Sequence, residues 1–147
     1  MSEGDESLHR NQLIISLEAA SARKNLRIEY RLLLNALEAR GRDDFRMAII
    51  DAATAVEICL HSKIKEKCRA LGISFADELL KKYSMLGGKI ELSKLVGILP
   101  KKDYIKTFNE PRNSVLHKAF FPDKSGATRM ILAATELLTE IQPDISE

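Results

Sequence analysis

An arginine, an asparagine and a histidine lie close together in the stretch EPRNSVLHKAFFPD, Glu110 to Asp123. On an α-helix Asn113 and His117 are one turn apart, so the amide can contact the imidazole or a ligand beside it. Arg112 is rotated from His117 by about 140° around such a helix. Its long side chain can still wrap inward, especially if Pro111 distorts the helix. The spacing therefore allows the three side chains to converge on one ligand.

These residue types suit chemistry on a phosphodiester. Arginine binds phosphate bidentately and stabilises charge on its oxygens, and histidine, with an unperturbed pKa of about 6.5, exchanges a proton near neutral pH. In RNA cleavage without a metal, the 2′-hydroxyl attacks the adjacent phosphate; a base must deprotonate this hydroxyl and an acid must protonate the leaving 5′-oxygen. One histidine could serve one role, and two copies across a symmetric dimer could serve both.

A purely structural interpretation of the motif remains open at this point. Arg112 could pair with a surface carboxylate, and His117 could cap the C-terminal end of its helix, where the dipole favours a cation. The other two histidines, His9 and His61, are isolated in the sequence and carry no motif.

Several lysines flank the motif and are candidates for contacting an RNA backbone. A solvated helix face explains them equally well. They are Lys101, Lys102, Lys106, Lys118 and Lys124.

Other standard sites do not fit the sequence. No Gly-rich phosphate loop is present, because Gly87 and Gly88 lack a following Lys-Ser or Lys-Thr pair, and there is no His-Glu-x-x-His. The carboxylates of Asp43, Asp44 and Asp51 lack partners at metal-binding spacing, so helix capping and surface charge explain them. We therefore expect neither a metal nor a cofactor.

Composition indicates one folded domain. The chain has 147 residues, 45% of them hydrophobic and 30% charged, and a net charge of +2 that is too balanced to indicate nucleic-acid binding by itself. Cys59 and Cys68 would be about 13 Å apart along one helix, too far for a disulfide, so we expect buried thiols and a reducing cytoplasm. The acidic start is unlike a secretory signal, and no apolar run approaches the roughly 18 residues of a membrane span.

Hydrophobic periodicity predicts an all-α fold, a bundle of four to five helices. Residues 1–21 are expected to be a disordered lead followed by a helix or strand, since QLIISL is ambiguous between the two. The bundle is expected to span residues 22–141, with 142–147 as a tail. Gly41 and Gly72 should end the first two helices, Asp43 or Asp44 should cap the second, and Ser74 should cap a short helix ended by the two adjacent glycines, Gly87 and Gly88.

The chain resembles the HEPN superfamily. The resemblance rests on PRNSVLHKAF in the penultimate helix, on ATRMILAATELLTEI in the terminal one, and on FRMAIIDAATAVEICLHSKIKE upstream. The hallmark of that family is an arginine, a polar residue, three further residues and a histidine. The similarity covers about residues 22–141.

The resemblance implies a metal-independent endoribonuclease of toxin–antitoxin or other defence systems, working as a homodimer that brings two motifs into one cleft. It implies that His117 is the general base or acid, Arg112 the phosphate clamp and Asn113 an orienting residue, with Glu57 supporting them from the long helix. The implied partners are RNA, a second copy of the chain and an antitoxin or regulatory protein. Ala119 stands where one subgroup has a tyrosine modified by a nucleotidyltransferase antitoxin, which argues against that type of partner.

Other members of the superfamily keep the fold as noncatalytic modules for RNA binding, dimerisation or protein interaction. A module of that kind is the alternative function. It predicts no nuclease activity and little effect of Arg112→Ala.

Overall fold

The structure, a computed structural model, describes Ile15 and residues 25–99, 103–117 and 120–146. Within these residues the fold is all-α, as predicted: four helices have ten residues or more and two are shorter. Of residues 1–21 only Ile15 is described; it is helical and buried, and the rest of that prediction lies outside the described residues. The helices are α1 (Ile28–Gly41), α2 (Phe45–Ala70), α3 (Ala76–Lys82), α4 (Leu86–Leu95), α5 (Glu110–His117) and α6 (Lys124–Ile141), with a π-helix (Ile105–Asn109) before α5.

The long helix α2 is the centre of the bundle and contacts each of the other five α-helices. Small side chains on α2 make this possible, because alanine lets a neighbouring backbone approach closely. Four alanines in its first three turns are completely buried: Ala48, Ala52, Ala53 and Ala55. The alanine-rich segment thus provides the surface on which α1 and α6 pack.

The ends of α2 follow local backbone chemistry. Asp44 is the N-cap, and its carboxylate accepts a hydrogen bond from the Met47 amide at 3.2 Å. Asp43 instead occupies the turn at a φ of 63°, which an aspartate tolerates better than most residues. After Ala70 the chain reverses through Gly72 at a φ of 73°, as predicted for a glycine beyond the helix end.

Two predictions around α3 and α4 are wrong. Ser74 does not cap α3: Phe75 occupies the N-cap position and no side chain accepts a hydrogen bond there. Gly87 and Gly88 do not end a helix but lie in the first turn of α4. A Cβ at Gly87 would approach the Asn109 side chain to 3.2 Å, and one at Gly88 would approach Tyr83 Cα to 3.2 Å, so these glycines permit close packing.

A π-helix connects α5 to the preceding segment, and Pro111 explains why it forms there. Proline has no N–H to bond the carbonyl four residues earlier, and its ring clashes with that carbonyl in a regular α-helix. The wider turn of Ile105–Asn109 relieves this clash, and Glu110 donates its N–H to the Ile105 carbonyl. Phe108 on this turn is buried and stacks with Tyr104, ring centroids 6.1 Å apart, so the widened turn is anchored in the core.

The segment after α6 docks against the start of α1. The Arg27 amide donates to the Ile145 carbonyl at 2.9 Å, and the Tyr30 hydroxyl donates to the Gln142 carbonyl. Cys59 and Cys68 are buried free thiols, as predicted. No helix in the described part of the chain is long and apolar enough to cross a membrane.

Candidate active site

Arg112 points from α5 toward the middle of α2. Its Nη2 lies 3.7 Å from Oε2 of Glu57, and its side chain is only 16% exposed. At this distance the contact is an ion pair rather than a hydrogen bond. The carboxylate that pairs with Arg112 therefore belongs to the central helix, at the residue that the family resemblance had singled out, and not to the outer surface.

Lys89 is a member of this cluster that the sequence did not reveal. Its Nζ lies 3.7 Å from Oε1 of Glu57 and donates to the Ser84 carbonyl at 2.5 Å, and its side chain is 6% exposed. A lysine on an amphipathic helix is ordinarily assigned to the solvent face, so no sequence signal distinguished Lys89 from its neighbours. Glu57 thus holds a cation on each of its two oxygens, and the cluster of Glu57, Lys89 and Arg112 carries a net positive charge.

One nitrogen of Arg112 is buried without a hydrogen-bond partner. Nη1 has no acceptor within reach, although buried guanidinium N–H groups are normally satisfied. The uncompensated donor and the loose ion pair leave Arg112 less completely neutralised than a bidentate arginine–carboxylate pair would be.

Asn113 and His117 lie on another side of α5. Asn113 is half-buried, and His117 is exposed as the last residue of the helix. Arg112 contacts Glu57 of α2, and His117 is rotated from Arg112 by about 140° around the helix. The helical placement of the motif is as predicted, and convergence of the three residues on one ligand stays a prediction.

A groove of about 800 Å³ runs along the flank of α5 away from Arg112. Phe120 and Phe121 border it and are 49% and 83% exposed. Two cations, Lys106 and Arg129, and two carboxylates, Glu110 and Asp123, also line it, so its charges balance. Asp123 is engaged as the N-cap of α6, accepting from the Gly126 amide at 2.7 Å.

The candidate RNA-binding lysines are only partly placed by the structure. Lys106 lies on the groove wall, and Lys124 is the exposed first residue of α6. Lys101, Lys102 and Lys118 lie outside the described residues. A basic surface that includes all five stays a prediction.

His61 is not isolated in space, contrary to its position in the sequence. It is exposed on α2 one turn after Glu57 and is surrounded by charges from three helices. Loss of water around the ring, followed by the positive charges of Lys89 and Lys65, lowers the pKa of His61 below its ordinary value. The carboxylates of Asp77 and Glu57 act in the opposite direction.

The described residues contain no group of three or more His, Cys, Asp or Glu side chains placed to hold a metal ion. Comparison of the chain with known protein families, with characterised proteins and with solved structures gave no significant match.

Proposed function

We propose that this chain is a metal-independent endoribonuclease of the HEPN type, acting as a homodimer in a toxin or defence system. The observation that carries the proposal is the contact between Arg112 and Glu57. It holds the motif arginine against the central helix, while Nη1 of its guanidinium has no hydrogen-bond partner. His117, at the end of the same helix, is exposed and open to a substrate.

The reaction needs no water and no cofactor. The ribose 2′-oxygen forms a bond to phosphorus as its proton passes to a base, and the bond from phosphorus to the 5′-oxygen breaks as that oxygen takes a proton from an acid. The products are a 2′,3′-cyclic phosphate and a 5′-hydroxyl. His117 transfers one of the two protons, Arg112 stabilises the charge on the phosphate oxygens, and Asn113 orients His117 or the substrate.

To bind a phosphate, Arg112 has to exchange its 3.7 Å contact with Glu57 for the phosphate oxygens. Nη2 faces Glu57 and Nη1 is enclosed, so only 16% of the side chain is open to solvent. Glu57 prevents the guanidinium from collapsing elsewhere, which lowers the cost of ordering it when RNA binds.

The test is cleavage of RNA by the purified protein in EDTA. We expect products ending in 2′,3′-cyclic phosphate, and a decrease of about 100-fold or more for His117→Ala, because general acid–base catalysis contributes that much. Asn35→Ala, at an exposed position on α1, is the control and should cleave normally. Undiminished cleavage by His117→Ala would refute the assignment.

The groove beside α5 favours the alternative, a noncatalytic module that associates with another copy of itself. An exposed pair of aromatic side chains at the edge of a groove is typical of an interaction surface. On this hypothesis Phe121→Asp weakens self-association measured by sedimentation velocity, whereas Leu95→Asp, equally exposed but outside the groove, does not. This hypothesis predicts that the protein does not cleave RNA. Loss of self-association in Phe121→Asp would not by itself support the nuclease hypothesis.

A further inference from the structure

A polar ridge crosses the bundle on the side that faces α3 and α4. On α2 the ridge consists of Glu57, His61 and Lys65, which follow one another at intervals of one helical turn and so share a face. At one end Glu57 meets Arg112 and Lys89; at the other, Lys65 pairs with Asp77 at 3.8 Å. His61 is the central member of this ridge.

We propose that His61 is a proton-transfer residue at a phosphate bound by Arg112, and that His117 of a second copy is the other. The inference rests on the proposed nuclease function and identifies the histidine that shares the surroundings of Arg112 within one chain. Arg112 pairs with Glu57, and His61 follows Glu57 by one helical turn, whereas His117 is exposed at the end of α5. The arrangement forms a site from Arg112, Glu57 and His61 of one chain and His117 of the other.

The charges around His61 suit a base. Loss of water around the ring has the largest effect and lowers the pKa of His61; Lys89 on α4 and Lys65 on α2 lower it further, and Asp77 on α3 and Glu57 on α2 raise it. The lowered pKa favours the neutral imidazole, which accepts the proton of the 2′-hydroxyl as the oxygen bonds to phosphorus. The imidazolium of His117 gives its proton to the leaving 5′-oxygen, and both rings return to their starting states by exchange with water.

The first experiment measures cleavage by His61→Gln, a substitution at an exposed position that should leave the fold intact. We expect a decrease of about 100-fold in kcat with little change in KM, since a proton-transfer group acts in the transition state. Unchanged kcat in an enzyme that His117→Ala inactivates would overturn the proposal.

The second experiment is a subunit-mixing assay. His61→Gln and His117→Ala proteins are each inactive alone, but a mixed dimer contains one site with both histidines intact. Recovery of activity on mixing supports the two-chain site. Absence of recovery, with mixed dimers shown by mass spectrometry, overturns it.

The third experiment uses the pH–rate profile. Lys65→Gln removes a cation near His61 and frees Asp77, and both changes raise the pKa of the imidazole. The acidic limb of the profile should therefore move to higher pH, which a merely structural role of His61 would not produce. An acidic limb that stays in place contradicts the assignment of His61 as the base.

If the wild-type protein cleaves no RNA, the proposed function fails, and phosphate binding tests the site separately. Inorganic phosphate should shift the His61 ring signals in NMR spectra and raise the pKa of His61, because an anion favours the imidazolium. Arg112→Gln should abolish the shift. A His61 signal that does not respond to phosphate overturns the site irrespective of nuclease activity.

Discussion

At the scale of single residues, Glu57 has the largest structural role in the candidate site, because one carboxylate pairs with two cations. Removing one partner of a largely buried ion pair destabilises the fold by more than the intact pair stabilises it, because the remaining charge is left uncompensated. We expect Glu57→Gln to lower the free energy of unfolding by about 2 kcal/mol, because Lys89 and Arg112 then lack a counterion. Urea denaturation measures this, with Glu91→Gln on α4, whose partner Lys94 is more exposed, as the weakly affected control.

The same cluster gives a test of coupling. Lys89→Met removes the buried ammonium, so combining it with Glu57→Gln should cost less than the sum of the two single changes. Additive free energies would show that the 3.7 Å contact between these residues contributes little. The family resemblance singles out Glu57, but nothing in the sequence identifies Lys89. Hydrophobic periodicity places a lysine on the surface by default, and only the packing of α4 against α2 buries it.

Cys59 provides a residue-scale prediction about pH. Burial, with a smaller contribution from Glu29, raises the pKa of the Cys59 thiol from 9.0 to about 12. As the pH rises, the Cys59 thiol therefore loses its proton in the unfolded state before it does so in the folded state. The contribution of this thiol to the free energy of unfolding is fully present below pH 9 and is lost as the pH rises toward 12. At pH 10 the loss should be about 1 kcal/mol. Cys59→Val should remove this part of the pH dependence, and an unchanged slope in the variant would contradict the prediction. Burial also raises the pKa of Tyr104, and comparison of the variant with the wild type separates the contribution of Cys59 from that of Tyr104.

At the scale of elements, continuous apolar periodicity predicts the helices, and one of the two errors lies where glycines have a packing role. Gly87 and Gly88 read as a helix stop, because a glycine pair destabilises a helix, yet both lie inside α4. Sequence alone cannot show that another element passes close enough to exclude a side chain. The sequence likewise does not predict the π-helix; Pro111 indicates only that the helix could be distorted there.

The two glycines of α4 should respond differently to alanine. A methyl group at Gly87 meets the Asn109 side chain, which is able to shift, so the helix propensity of alanine should raise stability by about 0.5–1 kcal/mol. A methyl group at Gly88 meets the Tyr83 backbone, which is not free to move, so Gly88→Ala should be neutral or destabilising. Thermal unfolding of the two variants checks this difference, and equal stabilisation of both would show that α4 is not packed as described.

At the scale of the whole molecule, the nuclease proposal depends on two chains. The motif could be read from sequence because its residue types and spacing are local. The position of the motif relative to a second copy could not be read from the sequence. It depends on tertiary packing, which places Arg112 against α2 and leaves His117 exposed to solvent. If the site is shared between copies, activity per chain must fall as the protein is diluted below the dissociation constant of the dimer, because monomers hold only part of the site.

Covalent linkage removes this dilution effect and provides the matched control. Two copies joined by a flexible Gly/Ser linker of roughly 30 residues, with a mean span of about 30 Å, hold the second chain at high effective concentration. Cleavage per site should then be independent of concentration, while the unlinked protein loses activity over the range in which sedimentation shows dissociation. A monomer that keeps full activity per chain would contradict the shared site, and catalysis would then have to be assigned to residues within one chain.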